Sequence, residues 1–233
     1  KLVKLFQEEI FSRFLGGSTL EDCYACVACV ANRWLDVLDT RGIDLTEDEL
    51  LELLMDSTTM SKSIEAYEGQ RSTAITTAKR LNQFLGGDVL KYGKLSCTFV
   101  IGKKPEGVPV SERAIPSTIF KADSSVRKQY LSMWCRDSFN RQETISVRDV
   151  LDWEYYKERL GKAIQKIITI PAAMQKLSNP VPRVVHPDWL QKTIMRRNDK
   201  YKQHTLTMFT ANTKPASELS RKPLFLIGSE PKE

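Results

Sequence analysis

This 233-residue chain is poor in the side chains from which small active sites are usually built. It has two histidines, His186 and His204, and five cysteines, at positions 23, 26, 29, 97 and 135. A zinc site would have to draw those histidines and cysteines from distant segments, without paired C-x2-C and H-x3-H spacing. No apolar run nears the roughly 20 residues of a membrane span, and no signal-peptide pattern occurs. The phosphate loop G-x-x-x-x-G-K-[ST] and the nucleophile elbow G-x-S-x-G are both missing. No internal repeat is visible, and no pair of carboxylates sits within an apolar strand. The sequence therefore offers no catalytic residue and no metal ligand set. An odd cysteine count without a secretory segment fits a reduced intracellular protein.

What is there suits a soluble globular protein: 41% apolar and 27% charged residues. A chain of this size buries roughly 70% of its unfolded surface and can own a real core. It opens at Lys1, with no initiator Met, already inside a helical pattern, which reads as a cut from a longer chain. The net charge of +6 is unevenly spread. Residues 1–68 hold 6 Lys/Arg against 14 Asp/Glu, and residues 69–128 hold 11 against 4. Residues 129–190 carry 9 against 7, and residues 191–233 carry 9 against 4. A basic middle and a basic tail can attract a polyanion, and an evenly solvated basic surface is the plainer reading.

Hydrophobic periodicity predicts a mainly α fold with a small β-hairpin or sheet insertion. Leu2, Leu5, Phe6, Ile10 and Phe14 form a first helical stripe that Gly16-Gly17 stop. Ser18 and Glu21 have capping-box spacing before a second stripe of Leu20, Tyr24, Val27, Ala31, Trp34 and Leu38. Thr46 and Glu49 repeat that spacing before Leu50–Met55, and a fourth helix is expected at about 73–85. Leu95–Ile101 is short, β-branched and aromatic, as a strand should be. Pro105-Glu106-Gly107 supplies a turn, and Val108–Ile115 is expected to return as its partner strand. Helical patterning resumes at Ser125–Cys135, at Val147–Ile170 until Pro171, and near 188–200. Asn179–Arg183 must be extended around its prolines, and the polar stretch beyond Thr205 reads as a linker or arm.

Two features invite a functional reading. Cys23-x-x-Cys26-x-x-Cys29 opens like an iron–sulfur motif, but Arg33 stands where the fourth cysteine belongs. All three also fall inside a well-capped helix, where they drift around its surface, so packing as small buried apolar side chains is favoured over metal binding. The second feature is basic. Gln70-Arg71-Ser72-Thr73 opens a helix whose first turn offers free N–H groups and two hydroxyls, a natural phosphate seat. Thr76, Lys79 and Arg80 follow on the same element, Lys103 and Lys104 sit at the expected hairpin tip, and Arg113 on its return. Such residues grip phosphates without reading sequence. A solvated helix and an ordinary Lys-rich turn are the alternative.

The stretch Val147-Arg148-Asp149-Val150-Leu151-Asp152-Trp153-Glu154-Tyr155-Tyr156-Lys157-Glu158-Arg159-Leu160 resembles the D-x-x-Y-Y thumb signature of B-family DNA polymerases. Gly161–Ala173, Asn179-Pro180-Val181-Pro182-Arg183 and His186-Pro187-Asp188-Trp189-Leu190 are similar to the epsilon branch of that family. So are Ser72–Leu81, Lys104-Pro105-Glu106-Gly107 and Glu112-Arg113-Ala114-Ile115-Pro116. The resemblance runs from about Lys1 to Gln203. The triple-cysteine helix departs from what it leads one to expect here.

The resemblance implies a thumb-like fold: an end-of-palm helix over 1–15, a thumb over 16–203 and a polar tail over 204–233. It implies a nuclear replicative DNA polymerase as the parent protein, a nucleotidyltransferase acting in leading-strand synthesis. The two-metal chemistry needs carboxylates that hold Mg²⁺; these, and a cysteine-ligated iron–sulfur or zinc site, are expected elsewhere in the parent. This piece would then be non-catalytic. Its expected partners are primer-template duplex DNA, the palm and other domains of the polymerase, and replisome subunits, with no membrane. Ser72, Thr73, Thr76, Lys79 and Arg80 are expected on one strand, and Lys103, Lys104 and Arg113 near the other. Asp152, Tyr155 and Tyr156 are assigned to packing and to starting a helix, while Arg183 is left between DNA and a helix cap. A helical protein–protein interaction module with no direct DNA role is the alternative function.

Overall fold

A computed structural model of the protein describes residues 1–67, 69, 72–87, 95–103, 107–134, 145–178, 181 and 183. The expectations for Lys104, Cys135, the histidines, the helix near 188–200 and the tail lie outside these residues. The fold is mainly α with one three-stranded antiparallel sheet, as the periodicity predicts. The chain forms two compact units, one of Lys1–Leu2 and Arg41–Tyr156, the other of Val3–Thr40 and Lys157–Glu233.

In the second unit, α1 (Leu2–Phe14) and α2 (Leu20–Asp39) bury the predicted stripes, with Phe6, Ile10, Val27, Ala31 and Leu38 at most 2% exposed. Phe6 meets Trp34 edge-on at 5.9 Å, and Phe14 meets Tyr24 at 5.4 Å. The cap of α2 lies one residue later than its sequence suggests: Thr19, not Ser18, accepts from the Asp22 N–H at 3.1 Å. Glu21 is therefore no capping-box partner. It is buried in the first helical turn, and neither of its carboxylate oxygens has a hydrogen-bond partner among the described residues. Glu9 is also buried, contrary to the solvent-facing default for acids. It accepts from Trp34 Nε1 at 2.7 Å and pairs with the Arg33 guanidinium. Cys23, Cys26 and Cys29 lie on one continuous helix. A Cβ at Gly17 would collide with Cys23 Sγ and the Cys23 backbone, so the loop entering α2 packs on that residue.

Further along, Pro171 does not end the helical run. α8 (Trp153–Ile164) passes into a π-helical turn, Gln165–Thr169, in which the Ile170 N–H reaches back to the Gln165 carbonyl. Pro171 then falls at the start of α9 (Ile170–Met174), directly after the wider π turn, where the i→i−4 ladder is already interrupted. Arg183 is committed to α2: it donates to Asp36 at 2.9 Å, Asp39 at 3.1 Å and the Asn32 carbonyl at 2.8 Å.

In the first unit, α3 (Glu47–Leu54) starts at the predicted capping box of Thr46 and Glu49. Strand β1 (Asp56–Met60) follows, then α4 (Thr73–Phe84), β2 (Leu95–Ile101) and β3 (Ala114–Pro116). The sheet order is β1-β2-β3, so the expected hairpin is only half of it. The return strand is also shorter than Val108–Ile115, because Val110–Glu112 makes a 3-10 turn before it. Short helices α5 (Ser117–Lys121), α6 (Ser124–Trp134) and α7 (Val147–Val150) lead to α8. Arg148 donates to the Gly42 carbonyl at 2.9 Å, and Glu47 accepts from the Val147 N–H at 2.9 Å. The half-buried Phe84 packs edge-on at 5.1 Å against Tyr130 of this unit's core.

Candidate nucleic-acid interface

α4 has two chemically distinct sides. Ala74, Ile75, Thr77 and Ala78 are buried, on a side that packs against β2, β3 and the Val110–Glu112 turn. Ser72 is exposed, and Thr73, Thr76, Lys79 and Arg80 are half-exposed or less. The 3.6-residue period places positions 72, 76, 79 and 80 on successive turns of one side. The Ser72 hydroxyl is the N-cap and accepts from the Ile75 N–H at 3.3 Å. The residue chosen as a phosphate seat is thus also the cap that starts the helix.

The two bases of α4 are positioned by carbonyls. Lys79 donates through Nζ to the Tyr67 carbonyl at 3.1 Å. Arg80 donates to the Glu112 carbonyl, and its guanidinium lies 3.8 Å from the Glu112 carboxylate. A single carbonyl uses one of three lysine donors and leaves the ammonium charge uncompensated, whereas Arg80 is partly neutralised. Lys103 is exposed just past the end of β2, its backbone N–H held by the Val150 carbonyl at 2.7 Å. The neighbouring Gly102 bridges to Leu151. A Cβ at Gly102 would come within 2.9 Å of the Ile115 side chain and 3.3 Å of the Arg113 carbonyl, so a larger residue there would press on both. Lys104 lies outside the described residues.

Arg113 does not share this surface. It is 8% exposed, donates to the Gly102 carbonyl at 3.2 Å and pairs with the Asp152 carboxylate. Its guanidinium is spent on joining the turn before β3 to the start of α8. Asp152 in turn accepts from the Tyr155 N–H at 3.0 Å, capping α8, and the Tyr156 hydroxyl accepts from the Ile101 N–H at 2.9 Å. The signature residues Asp152 and Tyr156 accordingly pack and start a helix.

Among the described residues, no group of three or more His, Cys, Asp or Glu side chains is placed to hold a metal ion. Burial pushes the Cys26 thiol above its ordinary range, with Arg13 and Arg33 opposing. Burial pushes Cys97 up to about 11. Neither is a ready thiolate ligand. Among the described residues, no helix is long and apolar enough to cross a membrane.

Comparison with known proteins places this architecture among polymerase thumb domains: residues 1–175 match the family described as the thumb domain of the DNA polymerase epsilon catalytic subunit. The chain is 52% identical over 214 residues to the catalytic subunit of DNA polymerase epsilon from Saccharomyces cerevisiae, covering 92% of the chain and 10% of that relative. It is 51% identical over 215 residues to the Arabidopsis thaliana protein of the same name, covering 92% and 10%. With the Dictyostelium discoideum protein it is 49% identical over 213 residues, covering 91% and 9%. The chain belongs to the thumb-domain family of the DNA polymerase epsilon catalytic subunit. It spans about a tenth of the length of these curated relatives.

Proposed function

We propose that this domain holds primer-template duplex DNA by its sugar-phosphate backbones while a replicative polymerase extends the leading strand in the nucleus. The observation that carries the reading is the two-sidedness of α4: one side is sealed into the fold, and the other presents hydroxyls and bases at helical spacing. Groups of that kind bind phosphate without sequence preference, as a clamp that must move after every nucleotide requires. Ser72, Thr73, Thr76, Lys79 and Arg80 meet one strand, and Lys103 and Lys104 approach the other. Arg113 is left out of this set because its charge is buried and paired.

In this reading nucleotidyl transfer belongs to the parent polymerase, whose Mg²⁺-holding carboxylates lie outside the chain. Residues 1–15 would close the palm, although the thumb family already matches from residue 1, and residues 204–233 would continue as a polar arm. The test is a titration of the chain with duplexes of unrelated sequence at several salt concentrations. Binding that is indifferent to sequence and falls steeply with salt supports the grip. No binding at low salt, or binding that salt leaves unchanged, refutes it.

A further inference from the structure

The acidic α3 carries a surface that DNA binding does not explain. Between α3 and α5 runs an open groove with a cavity volume of about 660 Å³, within the size range of sites that take a ligand. Leu51 and Phe120, 2% and 4% exposed, form its floor with the half-exposed Met55 beside them; Asp48 and Glu52 line it from α3 and Lys121 from α5. Asp48, Leu51, Glu52 and Met55 fall at i, i+3, i+4 and i+7 along α3 and its C-cap, and Thr46 and Glu47 complete that wall at the helix start.

The carboxylates of α3 are not interchangeable. Glu47 is consumed by the fold, accepting from the Val147 N–H at 2.9 Å and from Arg127 at 3.3 Å. Glu49 is consumed by the capping box. Asp48 and Glu52 are exposed on the groove, and Glu52 already holds an ammonium, Lys1 Nζ, at 3.3 Å. The groove is also preformed. Arg127 ties one wall to the other, donating to Glu47 on α3 and to the Phe120 carbonyl on α5, with its guanidinium 5.6 Å from the Phe120 ring centre. A rigid groove spares a partner the ordering cost of making one.

We propose that this groove is a docking site for a short segment of a partner protein that carries Lys or Arg beside apolar side chains. Charge complementarity selects that occupant: Asp48, next to a Glu52 that already holds the Lys1 ammonium, repels a phosphate backbone or an anionic membrane and favours a further ammonium or guanidinium. Lys121 on the facing lip sets the polarity, with the base of the segment against α3 and a neutral or acidic group against α5.

The experiment pans a displayed library of short random peptides against the full chain and measures the enriched peptides by fluorescence anisotropy. Enriched sequences are expected to combine a base with apolar residues. Their Kd should weaken by about tenfold or more, a change of about 1.4 kcal/mol, on Asp48→Lys with Glu52→Lys. The isosteric pair Asp48→Asn with Glu52→Gln should weaken it less, and Glu65→Lys, an exposed charge elsewhere, not at all. Replacing the base of the peptide by Glu should restore binding to the charge-reversed protein. Failure to enrich any sequence, or enriched peptides that bind the reversed and isosteric variants as they bind the natural chain, overturns the proposal. Duplex titration of the same variants keeps this outcome separate from the DNA reading, since neither position belongs to the α4 surface.

Discussion

Arg113 and Asp152 form an ion pair almost closed to water, with 7% and 14% of their side chains exposed. The pair fastens the turn before β3 to the residue that caps α8, and the guanidinium also holds the Gly102 carbonyl. Removing one partner leaves the other as a buried uncompensated charge, which costs about 3–5 kcal/mol. Arg113→Met and Asp152→Ala should each lower the unfolding free energy by about that much in urea titrations. The double variant should lose clearly less than the sum of the two. Strictly additive losses would show that the two side chains act independently.

For the DNA grip, Lys79→Ala, Arg80→Ala, Lys103→Ala and Lys104→Ala should each weaken duplex binding to a similar degree on unrelated sequences. Each should flatten the slope of log K against log[salt] by about 0.9 for every phosphate it no longer neutralises. Lys79 and Arg80 also support carbonyls of Tyr67 and Glu112, so their folding stability should be measured alongside. Lys62→Ala, in the acidic segment, should leave affinity and slope alone. Four basic variants that behave like Lys62→Ala would reduce the α4 surface to a solvated one.

The acid limb of stability should depend on Glu47. Burial raises its pKa, but the Val147 N–H, the Ser146 hydroxyl and Arg127 together outweigh that and hold it below the ordinary 4.5. Stability from such a carboxylate is fully present above its unfolded pKa and is lost as pH falls through its folded one. The Glu47→Gln variant should therefore be less stable than the natural chain at neutral pH. It should also lose less on acidification below about pH 4.5, as read from urea midpoints between neutral and strongly acidic buffer. Parallel loss in both proteins would assign the acid limb to other groups.

Native thiol chemistry should separate the cysteines by burial. Cys26 and Cys29 are partly exposed, whereas Cys23 and Cys97 are buried. A small alkylating reagent followed by peptide mass analysis should mark Cys29 and Cys26 before Cys23 and Cys97. Cys97 should stay slow even in mild base, since burial pushes its thiol up to about 11. Metal analysis of anaerobically purified protein should find no stoichiometric iron or zinc. Bound metal that disappears on Cys26→Ser would overturn the packing reading of the α2 cysteines.

How far the sequence could be read follows from where each signal arises. α3 and α4 were legible because caps and periodicity agree: Thr46 with Glu49, and Ser72 ahead of Ala74, Ile75 and Ala78. β2 was legible because it is central and apolar. Its partner β1 was not, since Asp56-Ser57-Thr58-Thr59-Met60 is an edge strand whose three middle residues face solvent and show no alternation. Pro171 misled because the π turn before it lies outside the 3.6-residue pattern. At the candidate site, residue type marked Lys103 and Arg113 alike as cations. Only the fold shows that one is exposed and the other is paired. The α3–α5 groove was invisible because Phe120 and Lys121 join it through space alone.

The clasp at Tyr156 makes two adjacent tyrosines unequal. Phenylalanine at 156 would fill the same space but strand the Ile101 amide, a buried donor, at about 1–3 kcal/mol. Tyr155 gives its N–H to the Asp152 cap, a bond any residue but proline could supply, and sets its ring edge-on against Tyr156 at 5.2 Å. A short motif that names a polymerase family thus works as joinery between a strand and a helix. Its presence in a chain certifies that frame, which is independent of the residues on the outer side of α4.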